Sequence, residues 1–261
     1  MRMHWRTGLL LGVGFLVVTG FLALPPIPQP ESYHDFAADR TWLGIPNFPD
    51  VASNLAFVVV GVLGVIWVGR HPHRFREARQ SWPYLAFFSA VILVGIGSGY
   101  YHWAPDHGRL FWDRLAMSLA FMAILAAIMS DRLADQRIMV VLPVLLVFGA
   151  MGAIHWYWTE LQGAGDLRLY MLTQALPLVL GMLLVLLHPG AYTRDADLLV
   201  AAGWYLLALA ADRLDHPIHE LTGGVLSGHT LKHLLAALSV YWVLRMLRRR
   251  RWRPFRPAPD Q

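Results

Sequence analysis

Apolar residues run along this chain in blocks far longer than the faces of soluble helices. Eight stretches, at about 7–24, 51–69, 83–102, 112–130, 138–155, 168–187, 197–213 and 229–247, hold few charges, and polar residues gather between them. A helix that crosses a membrane needs roughly 20 mostly apolar residues. Eight spans are therefore expected. The seventh is the weakest, because Asp195, Asp197, Asp212 and Asp215 flank it. One of the eight could instead be a buried or re-entrant helix.

The basic residues alternate with the spans. Arg2 and Arg6 precede the first, and Arg70, Arg74, Arg76 and Arg79 follow the second. Arg132 and Arg137 follow the fourth, Arg194 the sixth, and Arg245 with Arg248 to Arg251 close the last. If all eight segments cross, these fall on one side, while the opposite loops hold only Arg40, Arg109, Arg168 and Arg213. Basic loops stay cytoplasmic, so both termini are expected there, in what would be a bacterial inner membrane. The simplest roles for these arginines are topology signals and lipid-headgroup contacts.

Composition fits. Hydrophobic residues make up 56% of the 261 and charged residues 15%, against about 25% charged in soluble domains. An ordinary cytosolic domain and a disordered chain are excluded. The net charge of +5 sits in short runs between apolar segments, which points to the bilayer as partner and away from nucleic acid. The absence of cysteine excludes disulfides, thiolate metal sites and a Cys nucleophile. The first span reads as an uncleaved anchor in preference to a signal peptide, because no small-x-small cleavage site follows. Leu24 to Pro30 is a Pro-rich connector. The expected organisation is an anchor and connector over 1–30, a seven-span domain over 31–247 and a basic tail over 248–261.

Ionisable residues inside spans are costly and mark function. The third span ends outside with Ser98 and His102, four apart and so on one helix face. Asp113 opens the fourth span at the same depth. The eighth starts outside with His229 and His233, again four apart. A His pair at that spacing, with a third His from another helix, can hold zinc and leave a position open, the mark of a catalytic site. Asp113 could then carry a proton, and Ser98 could donate to a developing oxyanion. Each piece also has a plainer reading. The histidines could be interfacial, and Ser98, amid glycines, could serve helix packing. Asp113 could pair with Arg114, Arg109 or Lys232. All five at one depth favour the metal site.

Other polar residues fit less well. His155 with Trp156, Tyr157 and Trp158 reads as an aromatic belt. His216, His219 and Glu220 are spare ligands or lid residues, and His71, His73 and His188 belong to the other side. Asp35, Asp39, Asn47 and Asp50 are oxygen ligands suited to calcium, or a solvated cap with Asp50 as N-cap of the second span. Ser53 and Asn54 are expected to hydrogen-bond between helices.

Gly97-Ser98-Gly99-Tyr100-Tyr101-His102, Asp113-Arg114-Leu115-Ala116-Met117, His229-Thr230-Leu231-Lys232-His233 and Ser53-Asn54 together resemble the alkaline ceramidases. These belong to a wider group of seven-span zinc amidases that includes adiponectin receptors and GPI-remodelling proteins. The resemblance covers about residues 33–247. It implies an all-α integral membrane protein, a seven-helix transmembrane bundle here with one extra N-terminal transmembrane helix. It also implies one catalytic Zn2+ on His102, His229 and His233, with Ser98 and Asp113 assisting. The implied reaction is hydrolysis of a lipid amide such as ceramide to a fatty acid and a sphingoid base. The animal members of the family also bind Ca2+ through an acidic pair and a Glu before the Ser-Asn motif. Asn47 stands where that Glu would be, which weighs against calcium. The family's Asp-Glu-Leu-Pro-Met is Asp-Arg-Leu-Ala-Met here.

Two other classes compete. A receptor or transporter would place ionisable groups through both halves of the membrane. A haem-binding cytochrome b would place its histidines on opposite helices.

Overall fold

A computed structural model describes residues 5–133 and 138–253. Arg2, Arg137 and the tail from residue 254 lie outside the described residues. The long apolar blocks become helices: α1 (Trp5–Ala23), α2 (Phe48–Arg70), α3 (Trp82–Trp103), α4 (His107–Leu133), α5 (Ile138–Leu161), α6 (Arg168–Leu187), α7 (Ala196–Arg213) and, after the short α8 (Asp215–Leu221), α9 (Gly228–Arg249). Among the described residues no strand forms beyond two isolated bridges. All eight expected spans are present as helix. The protein is an all-α integral membrane bundle. Helices α1 to α6 are long and apolar enough to cross a membrane by themselves. Helices α7 and α9 carry the acids, the lysine and two histidines, and they pair with each other.

The packing order is circular. Helix α2 lies on α3, α3 on α4, α4 on α5, and α5 on α6; α9 bridges α7 back to α2. The second half of α6 packs on α7, and in its first half Gln174 accepts from Tyr205 of α7 at 3.2 Å. Its middle, Pro177–Gly181, is π-helical. Proline lacks the N–H that would continue the α-helical ladder, so the backbone widens there. Helix α1 has no buried residue and packs chiefly on the outside of α6.

Two glycines permit close helix contacts beside the histidines. A Cβ at Gly97 would lie 2.9 Å from the Trp112 carbonyl oxygen, so only glycine lets α3 bring Ser98 against the start of α4. A Cβ at Gly228 would run into the Ala211 carbonyl, so only glycine lets α9 begin against the end of α7. Both contacts sit at the histidine end of the bundle.

The opposite end is tied by a buried ion pair. Arg250 Nη1 donates to Asp131 Oδ2 at 2.5 Å, and Tyr84 donates to the same oxygen at 2.6 Å. The guanidinium lies over the rings of Tyr192, Phe75 and Tyr84. Arg250 is 3% exposed, so the expectation of a headgroup-facing arginine fails for this residue. The chain then returns along residues 191–193: Thr193 N–H donates to Arg251, and Arg253 N–H donates to Ala191. The structured domain therefore continues past the expected boundary at 247.

Candidate metal centre and the cavity behind it

Helix α3 carries His102 in its last turn, and α9 presents His229 and His233 one turn apart. All three are buried, and their ring nitrogens converge within 4.8 Å of one another. His102 Nε2 and His229 Nε2 are 3.1 Å apart. The hydrogen bonds behind the rings fix what these nitrogens offer. Asp212, at the end of α7, accepts from His229 Nδ1 at 2.7 Å. Ser53 donates to the Asp50 carbonyl at 3.0 Å, so its oxygen accepts from His233 Nδ1 at 2.8 Å. With the protons on Nδ1, both Nε2 atoms keep bare lone pairs, the tautomer a metal requires. A carboxylate behind one ligand and a hydroxyl behind another are the outer partners of a metal site. The three histidines can hold a metal ion, and their donor set suits zinc.

Asp212 was expected only as an acid that weakens the seventh span. It also accepts from Lys232 at 3.1 Å. Asp215, three residues on, accepts from the His229 backbone N–H at 2.7 Å and from Ala37 N–H at 2.9 Å. The only sequence signal was an acid pair at the same depth as the histidines. Ser53 bonds between helices as expected, and Asn54 donates mainly to its own helix, to the Asp50 carbonyl at 2.8 Å. Asp50 is not the N-cap of α2. That position is Asn47, in left-handed conformation, while Asp50 lies in the first turn, where Thr230 donates to it at 2.5 Å. The Asn47 amide donates to the His102 carbonyl at 2.9 Å, holding the end of α3. Among the described residues, Asp35, Asp39 and Asp50 join no group of three metal-ligating side chains.

Asp113 and Ser98 are buried and contact each other. The alternative ion pairs for Asp113 are not made. Lys232 holds Asp212, Arg109 holds Asp106, and Arg114 lies 4.0 Å over the Trp156 ring and donates to Gln29. Asp113 Oδ1 is buried without a hydrogen-bond partner. Trp156 is fully buried beneath Arg114, which removes it from the expected aromatic belt; Trp158 is exposed as a belt residue would be.

Behind the histidines lies a cavity of about 800 Å³. Ser98, Asp113, His229 and His233 line one end, and Ile128, Val185 and Val243 line the other. Asp113 and Ile128 are fifteen residues apart on α4, so the cavity runs about 22 Å along the bundle at 1.5 Å per residue. Phe36, from the segment before α2, also lines the cavity and packs over the histidines; its ring centroid is 4.7 Å from His102 and 4.3 Å from His229. His216 lines the cavity, whereas His219 and Glu220 do not. His71 and His188 lie at the far ends of α2 and α6.

An all-α membrane bundle with a buried three-histidine group at the head of a long apolar cavity is the class that fold and site define. No protein-family model matches the chain, and no curated protein matches it significantly.

Proposed function

We propose that this protein is a zinc-dependent lipid amidase of the ceramidase type, with its site toward the extracytoplasmic side of a bacterial inner membrane. One observation carries the reading: three buried imidazoles, two with their Nδ1 protons committed elsewhere, converge where a carboxyl and a hydroxyl face a 22 Å apolar cavity. A catalytic zinc on His102, His229 and His233 would polarise a carbonyl and supply a nucleophile at neutral pH.

The chain's own residues supply the rest. The Asp113 carboxyl, with Oδ1 unpartnered, takes up a proton and returns it to the leaving amine. The Ser98 hydroxyl donates to the oxygen on which charge develops. The cavity walls hold an acyl chain, and Phe36, packed on His102 and His229, limits water at the histidines. A transporter or receptor would place ionisable groups through both halves of the membrane, but the ionisable pair at the far end, Asp131 and Arg250, does not line the cavity.

The test is fatty-acid release from ceramide by zinc-loaded protein in detergent, alongside Asp113→Asn and His229→Ala. Asp113→Asn should keep zinc and lose turnover by about 100- to 10,000-fold, the usual weight of acid–base catalysis. His229→Ala should lose both. Full turnover in His229→Ala would overturn the zinc reading, and full turnover in Asp113→Asn would remove the proton carrier.

A further inference from the structure

A second histidine pair lies at the same end of the bundle, outside the cavity. The connector after α1 forms one short turn, Glu31–His34. His34 comes from that turn, and His107 opens α4. Their ring centroids are 4.8 Å apart, tilted by 57°. His34 Nε2 and His107 Nε2 are each buried without a hydrogen-bond partner. A buried polar atom left unpaired costs about 1–3 kcal/mol, so two together in one place ask for a common partner. The Glu31 carboxylate completes the group, with all three ligand atoms within 4.8 Å of one another.

We infer that Glu31, His34 and His107 form a second metal site, for a borderline divalent transition ion such as zinc. The chemistry of the set is two imidazoles and one carboxylate, which suits zinc and its neighbours rather than calcium or magnesium. The Tyr101 hydroxyl lies 2.8 Å from His34 Nδ1. That contact occupies one nitrogen and leaves Nε2 for the ion, the outer-partner arrangement also found at the first centre. Tetrahedral zinc holds its nitrogen and oxygen ligands roughly 3.4 Å apart, given bonds of about 2.0–2.1 Å. The remaining closure is small, and Glu31, being exposed, has room to make it.

The site would be structural in effect. It would join the connector to the start of α4, two residues before Phe36 packs over His102 and His229. An ion there holds the cover of the first centre in place without touching substrate.

Equilibrium dialysis against zinc, with elemental analysis, tests the inference without reference to activity. Wild-type protein should bind two zinc ions per chain, and the His102→Ala/His229→Ala variant should keep one. Adding His34→Ala to that variant should remove it. A second comparison avoids the first centre: Glu31→Gln/His107→Ala should fall from two ions to one. Cobalt substitution provides a spectroscopic count, since two different ligand sets give two sets of visible bands. One ion in the wild type, unchanged in Glu31→Gln/His107→Ala, would overturn the second site and leave the first standing. No ion in the wild type would sink both.

Discussion

Asp212 offers the sharpest test of how the first centre is built. Its Oδ1 accepts from His229 Nδ1 at 2.7 Å and from Lys232 Nζ at 3.1 Å. Asp212→Asn keeps the shape and removes the charge. His229 then loses the acceptor-only carboxylate that fixes its tautomer and strengthens its Nε2, because a carboxamide can turn either its oxygen or its N–H to Nδ1. Loss of such an outer partner costs about 10- to 100-fold in metal affinity, or roughly 1.4–2.8 kcal/mol at 1.4 kcal/mol per decade. Part of the loss has a second source. Lys232 Nζ lies 3.5 Å from His229 Nδ1, and without Asp212 its charge opposes a nearby cation. Asp212→Asn/Lys232→Gln removes that repulsion, so the loss remaining in the double variant measures what the Asp212 carboxylate itself supplies to His229. Zinc affinity is read by competition with a chromophoric chelator in detergent. Affinity in Asp212→Asn indistinguishable from wild type would refute the tautomer argument.

Two further perturbations address the frame. Gly97→Ala places a methyl 2.9 Å from the Trp112 carbonyl, and overpacking of this kind costs about 1–3 kcal/mol; Gly69→Ala, with open space around it, should leave thermal stability at or above wild type. A midpoint for Gly97→Ala equal to that of Gly69→Ala would mean that α3 and α4 can part freely. Arg250→Met leaves the Asp131 carboxylate buried with the Tyr84 hydroxyl but without its counter-charge, at a cost of roughly 3–5 kcal/mol, whereas Arg248→Met removes an exposed charge and should be nearly neutral. Chemical denaturation followed by tryptophan fluorescence checks both, and equal stability of the two variants would count against the buried pair.

The bundle was legible because a membrane imposes a length and an apolarity that few other environments require. The apolar runs and the alternation of arginines gave eight segments, and eight long helices fill them. The three histidines were legible because spacing along α9 and depth on α3 can be counted. Their supports were not. Asp212 ends α7 and Asp215 opens α8, and only the packing of that corner on α9, permitted by Gly228, turns them toward His229. His34 and His107 are far apart in sequence and meet because the connector folds back over α4. Trp156 and Arg250 were misplaced for a common reason. Residue type suggested an interface, but tertiary packing put Arg114 over one and Asp131 beside the other. The π-helical stretch at Pro177 was likewise invisible, since proline alone does not say how a helix will absorb it.

The clasp between Asp131 and Arg250 also has a timing. Its partners are 119 residues apart, and a ribosome adds about 5–20 residues per second, so roughly 6–24 s separate their synthesis. Throughout that interval α3 and α4 exist without the guanidinium, and the return at 191–193 is itself made only about halfway through it. That end of the bundle can close only after nearly everything else has been made. A stop codon just before Arg250 would remove no membrane-spanning residue, yet the chain would stay in its unclosed, pre-release form.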